Sequence, residues 1–220
     1  ADDSVHMVVL EANGRSFSAG ADLDWMRRAA EYDLAENEEE ALRLAELLEA
    51  LAGCPKPVLA LVQGAAIAGG MGLVACCDLV IAVKRARFSL SEVRLGLIPA
   101  TISPHVMAAI GSRRMRCYFL TAEPIDSETA YDLGLVHILV EDEEALAEAG
   151  KKMIEELSLN GPGAMAETKA FMRSLAGREQ SPEAQIQLAG RLARRRATDE
   201  GKEGLAAFFE KRSAGWVAND

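Results

Sequence analysis

Two short stretches combine small residues with the start of an apolar segment: Ala19-Gly20-Ala21-Asp22 and Ala68-Gly69-Gly70-Met71. The first turn of a helix leaves N–H groups unpaired and carries a positive partial charge. Small residues let a ligand come close to that backbone. Two N–H groups aimed at one oxygen make an oxyanion hole, and losing one such donor costs about 2.7–4 kcal/mol of transition-state stabilisation. A carboxylate, Glu92, follows in Ser91-Glu92-Val93-Arg94-Leu95-Gly96-Leu97-Ile98-Pro99. Placed near such a pole, it supplies the minimum for acid–base chemistry on a carbonyl compound. The competing explanation is that the small residues only permit close packing of a helix on a strand. Neither stretch is a phosphate signature: no GxxxxGK followed by Ser or Thr occurs, and no GxGxxG.

The elements that must hold these residues follow from patterning. Met7–Ala12, Val58–Val62, Asp78–Val83 and Val136–Val140 are predicted strands, with Arg87–Leu90 a short extended piece. Asp22 is an N-cap for Leu23–Arg28, and a long helix spans Leu34–Leu51 with leucines at 42, 44, 47, 48 and 51. Gly64–Gly72 is expected as a glycine-rich turn that opens a short apolar helix over Leu73–Cys77. Ser103–Ile110 and Ser112–Thr121 are predicted helices parted by Gly111, and Asp126 caps another that Gly134 closes. From Glu143 to Arg212 the chain is helical, with breaks at Gly161-Pro162-Gly163 and Gly177. Strand–helix alternation followed by a helical third makes the chain α/β, divided into a core over 1–140 and a C-terminal helical region over 141–220. Four such strands make a small sheet for this core, which points to a segment preceding Ala1.

Composition narrows the function classes. The chain has 220 residues, half of them hydrophobic and 5% aromatic, and a net charge of -10. That balance argues against nucleic acid and anionic membrane surfaces as partners. The clusters Arg113-Arg114-Met115-Arg116 and Arg194-Arg195-Arg196 are solvated helix faces or local sites for an anionic ligand. Cys54, Cys76, Cys77 and Cys117 show no CxxC spacing, and His6, His105 and His137 are scattered, so no metal set or disulfide framework is implied. No signal peptide or long apolar span is present in the sequence. A cytoplasmic protein without metal or redox cofactor is the expectation.

The ordered segments Phe17–Leu23, Pro57–Gly64, Gly69–Asp78, Phe88–Pro99, Leu133–Val136 and Glu203–Arg212 resemble the enoyl-CoA hydratase/isomerase, or crotonase, superfamily. The resemblance covers nearly the whole chain. Within that superfamily Trp25-Met26, Gly72–Asp78 and Ser91–Ala100 with Ile102-Ser103-Pro104 are most similar to bacterial methylglutaconyl-CoA hydratases, with isohexenylglutaconyl-CoA hydratases as a sister group. The implied fold is a crotonase-like spiral of ββα units with a C-terminal helical trimerisation region. The implied partners are an acyl-CoA substrate and further copies of the chain, as a homotrimer or dimer of trimers.

By position, the resemblance gives the oxyanion-hole N–H groups to Ala21 and Gly69 and the acid/base role to Glu92. Ala19, Gly20, Asp22, Leu23, Ala68, Gly70, Gly72 and Pro99 are the expected substrate-binding residues. The implied reaction adds water across the 2,3 double bond of a branched enoyl-CoA such as 3-methylglutaconyl-CoA or isohexenylglutaconyl-CoA. Gly72 departs from the two-glutamate hydratases, which carry a second glutamate there. That departure admits double-bond isomerisation by a single base; a non-catalytic acyl-CoA-binding protein is a further alternative. Glu123, the substrate's own distal carboxylate, Ser91, Ser103 and His105 are candidates to replace the missing group. Arg94 is expected to be solvated or structural rather than to recognise substrate, Asp78 to cap or orient a strand start, and Arg27-Arg28 to be an unspecific contact for CoA phosphates.

Overall fold

The computed structural model describes residues 2, 4–175 and 181–217. Elements follow in the order β1 (Val8–Leu10), α1 (Leu23–Ala29), α2 (Leu34–Ala52), β2 (Val58–Val62), β3 (Ala65–Ile67), α3 (Gly69–Cys76), β4 (Leu79–Val83) and β5 (Arg87–Ser89). A short 3-10 helix (Glu92–Leu95) precedes α4 (Ser103–Ile110) and α5 (Ser112–Thr121). Then come β6 (Ile125–Asp126), α6 (Ser127–Asp132), β7 (Ile138–Val140), α7 (Glu143–Ser158), α8 (Pro162–Leu175), α9 (Pro182–Ala197) and α10 (Asp199–Glu210). The expected break at Gly177 lies outside the described residues.

The chain divides into two compact units, one of residues 8–54 and 58–151, the other of residues 1–7, 55–57 and 152–220. In the larger unit the strands form two sheets, and from β2 to β5 they alternate between them. One sheet has the order β1-β2-β4-β7, all parallel; the other has β3-β5-β6. Val8 pairs with Val58, Leu59 with Leu79 and Ile81 with Ile138. In the second sheet Ala66 pairs with Phe88 in parallel, and Ser18 bridges Ala66 on the other side. Strand, strand, helix therefore recurs three times: β1, Ser18 and α1; β2, β3 and α3; β4, β5 and α4. This is the expected spiral of ββα units.

The four expected long strands make up the first sheet; β2 has its expected bounds and the other three are shorter. The glycine-rich turn is not one turn. Its Ala65-Ala66-Ile67 is β3, and α3 starts at Gly69 rather than at Leu73. Nothing in Ala-Ala-Ile favours a strand strongly; pairing with β5 and Ser18 imposes it.

Burial explains the core. All five residues of β2 are buried, as are Val80–Val83 of β4, which suits central parallel strands covered on both faces. Met71, Val74, Phe88, Leu90, Ile102 and Val106 complete it. Of the α2 leucines only Leu48 is fully buried. α2 starts with a reciprocal capping box: Glu36 N–H donates to Asp33 Oδ1 at 3.0 Å and Asp33 N–H to Glu36 Oε2 at 2.9 Å. Asp78 orients a strand start, as expected, by accepting from Val58 N–H at 2.8 Å.

His137 extends the β4–β7 ladder with its side chain. Val80 N–H donates to His137 Nδ1 at 3.1 Å, which requires a neutral ring at that nitrogen. Burial pushes the imidazole below its ordinary 6.5. Below that value the unfolded chain takes up the proton more readily than the folded one, so stability falls as pH drops through the window. His137→Asn keeps an acceptor that does not titrate. Its melting temperature should fall less between pH 7 and 5 than that of the parent; equal falls in thermal melts would contradict this role.

In the smaller unit Glu200, at the start of α10, accepts from Gly163 N–H at 3.0 Å and Ala164 N–H at 2.9 Å. It thereby caps α8 and also pairs with Arg195. Trp216 Nε1 donates to Leu159 O at 3.1 Å. No helix among the described residues is long and apolar enough to cross a membrane.

Candidate active site

The parallel part of the second sheet, Ser18, β3 and β5, places three chain segments side by side. Ser18 N–H donates to Ala65 O at 2.8 Å, Ile67 N–H to Ser18 O at 2.9 Å, and Ala68 N–H to Ser89 O at 2.8 Å. Because these neighbours run parallel, their C-terminal ends lie together. Ala19-Gly20-Ala21 leaves one, Ala68-Gly69-Gly70 leaves the next, and Leu90-Ser91-Glu92 leaves the third. The sheet thus brings together residues far apart in sequence.

The turn from β3 into α3 is strained. Ala68 has φ 51° and ψ -117°, a conformation that favours glycine, with a cost on the order of 1–3 kcal/mol. It lets β3 turn sharply into α3. The first backbone bond of α3 is Gly72 N–H to Ala68 O at 3.1 Å, which leaves the N–H groups of Gly69, Gly70 and Met71 as the open end of the helix. Gly70 packs directly on Ser18: a Cβ there would sit 2.5 Å from Ser18 Cβ. This close approach keeps the 18–21 segment against the helix start.

On the other side, Gly20 takes φ 102°. Among the described residues no backbone carbonyl takes the Ala21 N–H. Ala19, Ala21 and Asp22 are exposed, and Leu23 is 68% exposed. Asp22 caps α1 as expected, accepting from Trp25 N–H at 2.7 Å, so its carboxylate is engaged locally. Arg27 pairs with Asp24.

Glu92 opens the 3-10 helix. Its Oε2 is fully buried and has no hydrogen-bond partner. Burial pushes its carboxyl above the ordinary 4.5, partly offset by its own backbone N–H. An unpaired buried acceptor is costly, and such exceptions concentrate where a proton must move. The turn is anchored from below. Leu97 N–H donates to Glu92 O at 3.1 Å, and the Arg94 guanidinium donates to Ala122 O at 2.9 Å. Arg94 is structural, as expected. Pro99 is buried, and its carbonyl accepts from Ser103 Oγ at 2.6 Å.

The Gly72 position is filled from outside. A Cβ there would meet Ile102 Cβ at 3.0 Å, Ile102 Cγ2 closer still, and Leu48 Cδ2 at 3.6 Å. The space a second carboxylate would enter from α3 is occupied by hydrocarbon. Among the candidate replacements, Ser103 is committed to Pro99, and Glu123 is exposed next to the Arg94 anchor at Ala122. Ser91 and His105 are half-buried on either side of the Glu92 loop in sequence. No group of three or more metal-ligating side chains occurs among the described residues.

Sequence reasoning missed Gln63. It is buried, and its amide nitrogen lies within hydrogen-bonding distance of three carbonyls of the 12–16 turn. A lone polar residue ending the apolar run of β2 was the available signal.

The fold and this geometry define a class. A profile described as enoyl-CoA hydratase/isomerase matches residues 1–219, and the chain belongs to that family. A crystal structure of an enoyl-CoA hydratase from Shewanella pealeana is 45% identical, covers 98% of this chain and 80% of its own, and superposes with a TM-score of 0.94. A relative from Thermus thermophilus is 38% identical over 96% of this chain and 83% of its own length. A trans-2-decenoyl-acyl-carrier-protein isomerase of Streptococcus mutans is 32% identical over 96% of this chain and 80% of its own.

Proposed function

We propose that this protein hydrates a branched enoyl-CoA, such as 3-methylglutaconyl-CoA or isohexenylglutaconyl-CoA. The observation that carries the reading is the buried, unpartnered Glu92 Oε2 at the same sheet end as the open N–H groups of α3. In this reading the Ala21 and Gly69 N–H groups bind the thioester oxygen. Polarising that carbonyl makes the β-carbon electrophilic toward water and stabilises the enolate formed on addition. Water oxygen bonds to the β-carbon, and Glu92 takes the water proton and returns it to the α-carbon. The burial that raises its proton affinity suits both halves of that transfer.

The filled Gly72 position favours a second reading, double-bond isomerisation, in which Glu92 alone carries a proton between carbons. The two are separated by one assay. The enzyme is incubated with 3-methylglutaconyl-CoA, crotonyl-CoA and a 3-enoyl-CoA, and the conjugated thioester absorbance is followed. Loss of absorbance with a branched enoyl-CoA is the expected result. Interconversion of 3-enoyl and 2-enoyl isomers with no hydration would replace the hydratase reading. Coenzyme A enters as the substrate's handle and no further cofactor is assigned. The net charge of -10 supports a small-molecule partner over nucleic acid. Exposed Leu192, Leu205, Phe208 and Phe209 on α9 and α10 support self-association as a trimer or dimer of trimers.

A further inference from the structure

Gln63 follows directly on β2 and is 6% exposed. Its Nε2 lies 2.8 Å from Ala12 O, 3.1 Å from Gly14 O and 3.1 Å from Ser16 O. A primary amide has two N–H bonds, so three carbonyls share them. Turning the amide over would aim its oxygen at three carbonyl oxygens, so the donor orientation is fixed. The cost is visible: Gln63 Oε1 is buried without a partner.

The neighbouring backbone is equally constrained. Gly64 lies against Arg15, where any Cβ would run into the Arg15 carbonyl oxygen and sit 3.2 Å from Ser16 Cα. Two residues on, Ser18 pairs with Ala65 and Ile67 through the main chain. Segments 12–18 and 63–67 thus run side by side. The later part is held by backbone ladder bonds and the earlier part by the Gln63 side chain.

We propose that Gln63 is a positioning residue that sets the register of Ala19-Gly20-Ala21 against Ala68-Gly69. It touches no substrate; it fixes where the Ala21 N–H stands relative to the Gly69 N–H. A slip of one residue along this pairing moves a donor by about 3.3 Å, more than a hydrogen bond tolerates. The proposal rests on the reading that these two N–H groups bind a thioester oxygen.

The test compares the parent with Gln63→Leu, which removes the donors at similar volume, and Gln63→Asn, which keeps an amide on a shorter arm. Three quantities are read: kcat, affinity for free CoA, and the red shift of a bound enoyl-thioester, which reports polarisation of its carbonyl. Gln63→Leu should lose about 10- to 100-fold in kcat and most of the red shift, with CoA affinity changed little. Gln63→Asn should fall between the two, and it carries the test if the Leu variant does not fold. A variant that melts earlier yet keeps the parent's red shift and kcat would overturn the proposal alone. A parent showing no red shift at all would overturn the thioester reading, and the proposal with it.

Discussion

Glu92→Gln lowers enoyl-CoA turnover by about 10²–10⁴-fold, the range set by a positioned acid–base group, while acyl-CoA binding is retained. The amide fills the same space but cannot accept and return a proton. Steady-state turnover beside calorimetric binding checks this, and near-parent turnover would remove Glu92 from its role. The same variant has a pH signature. Burial raises the folded-state pKa of Glu92 above 4.5, so the acid limb of the parent's kcat/KM profile lies above the usual carboxylate range. The residual activity of Glu92→Gln lacks that limb. Stability moves the opposite way. Between 4.5 and the raised value the folded chain holds a proton that the unfolded chain has released. The parent's stability therefore falls as pH rises through that window. Glu92→Gln does not titrate, so it should melt higher than the parent at neutral pH and more nearly equally below pH 4.5. This is the exchange of stability for function expected at an active site.

Gly72→Glu, the substitution that would restore a two-glutamate arrangement, should cost about 3 kcal/mol or more. Overpacking alone costs about 1–3 kcal/mol, and burying a carboxylate among aliphatic side chains adds to it. The cause is specific: Ile102, 2% exposed, stands where the new Cβ must go. Ile102→Ala by itself opens a cavity and costs about 2–5 kcal/mol. Together the two changes should be less damaging than their sum, with a coupling on the order of 1 kcal/mol or more, because each relieves the other. Urea unfolding midpoints of the parent, both single variants and the double variant measure this. Strict additivity would show that Ile102 and residue 72 do not meet. Hydration gained in the double variant would show that the missing carboxylate limits the parent.

Much of the frame was legible in the chain because it rests on local rules. Val58–Val62 and Leu79–Val83 are short, continuous β-branched and aliphatic runs, the pattern of strands buried on both faces. Asp22 and Asp126 stand where helix ends need acceptors; Asp126 accepts from Thr129 N–H at 2.8 Å. β3 was not legible. Ala65-Ala66-Ile67 carries only a weak strand preference, and its conformation is set by Ser18 and Ser89, which lie far away in sequence. The start of α3 moved for the same reason: the strained Ala68 is held between Ser89 O and the Gly72 N–H.

By itself the sequence determined which residues could do chemistry: two small-residue helix approaches, one carboxylate at Glu92, and no second carboxylate at Gly72. Residue type and spacing are properties of the chain. Only the tertiary structure decided that these pieces meet, since parallel pairing of Ser18, β3 and β5 gathers their C-terminal ends at one place. It also decided what the absence at Gly72 means. The space is closed by Ile102, thirty positions away, because close packing fills a vacancy with whatever side chain the fold brings there.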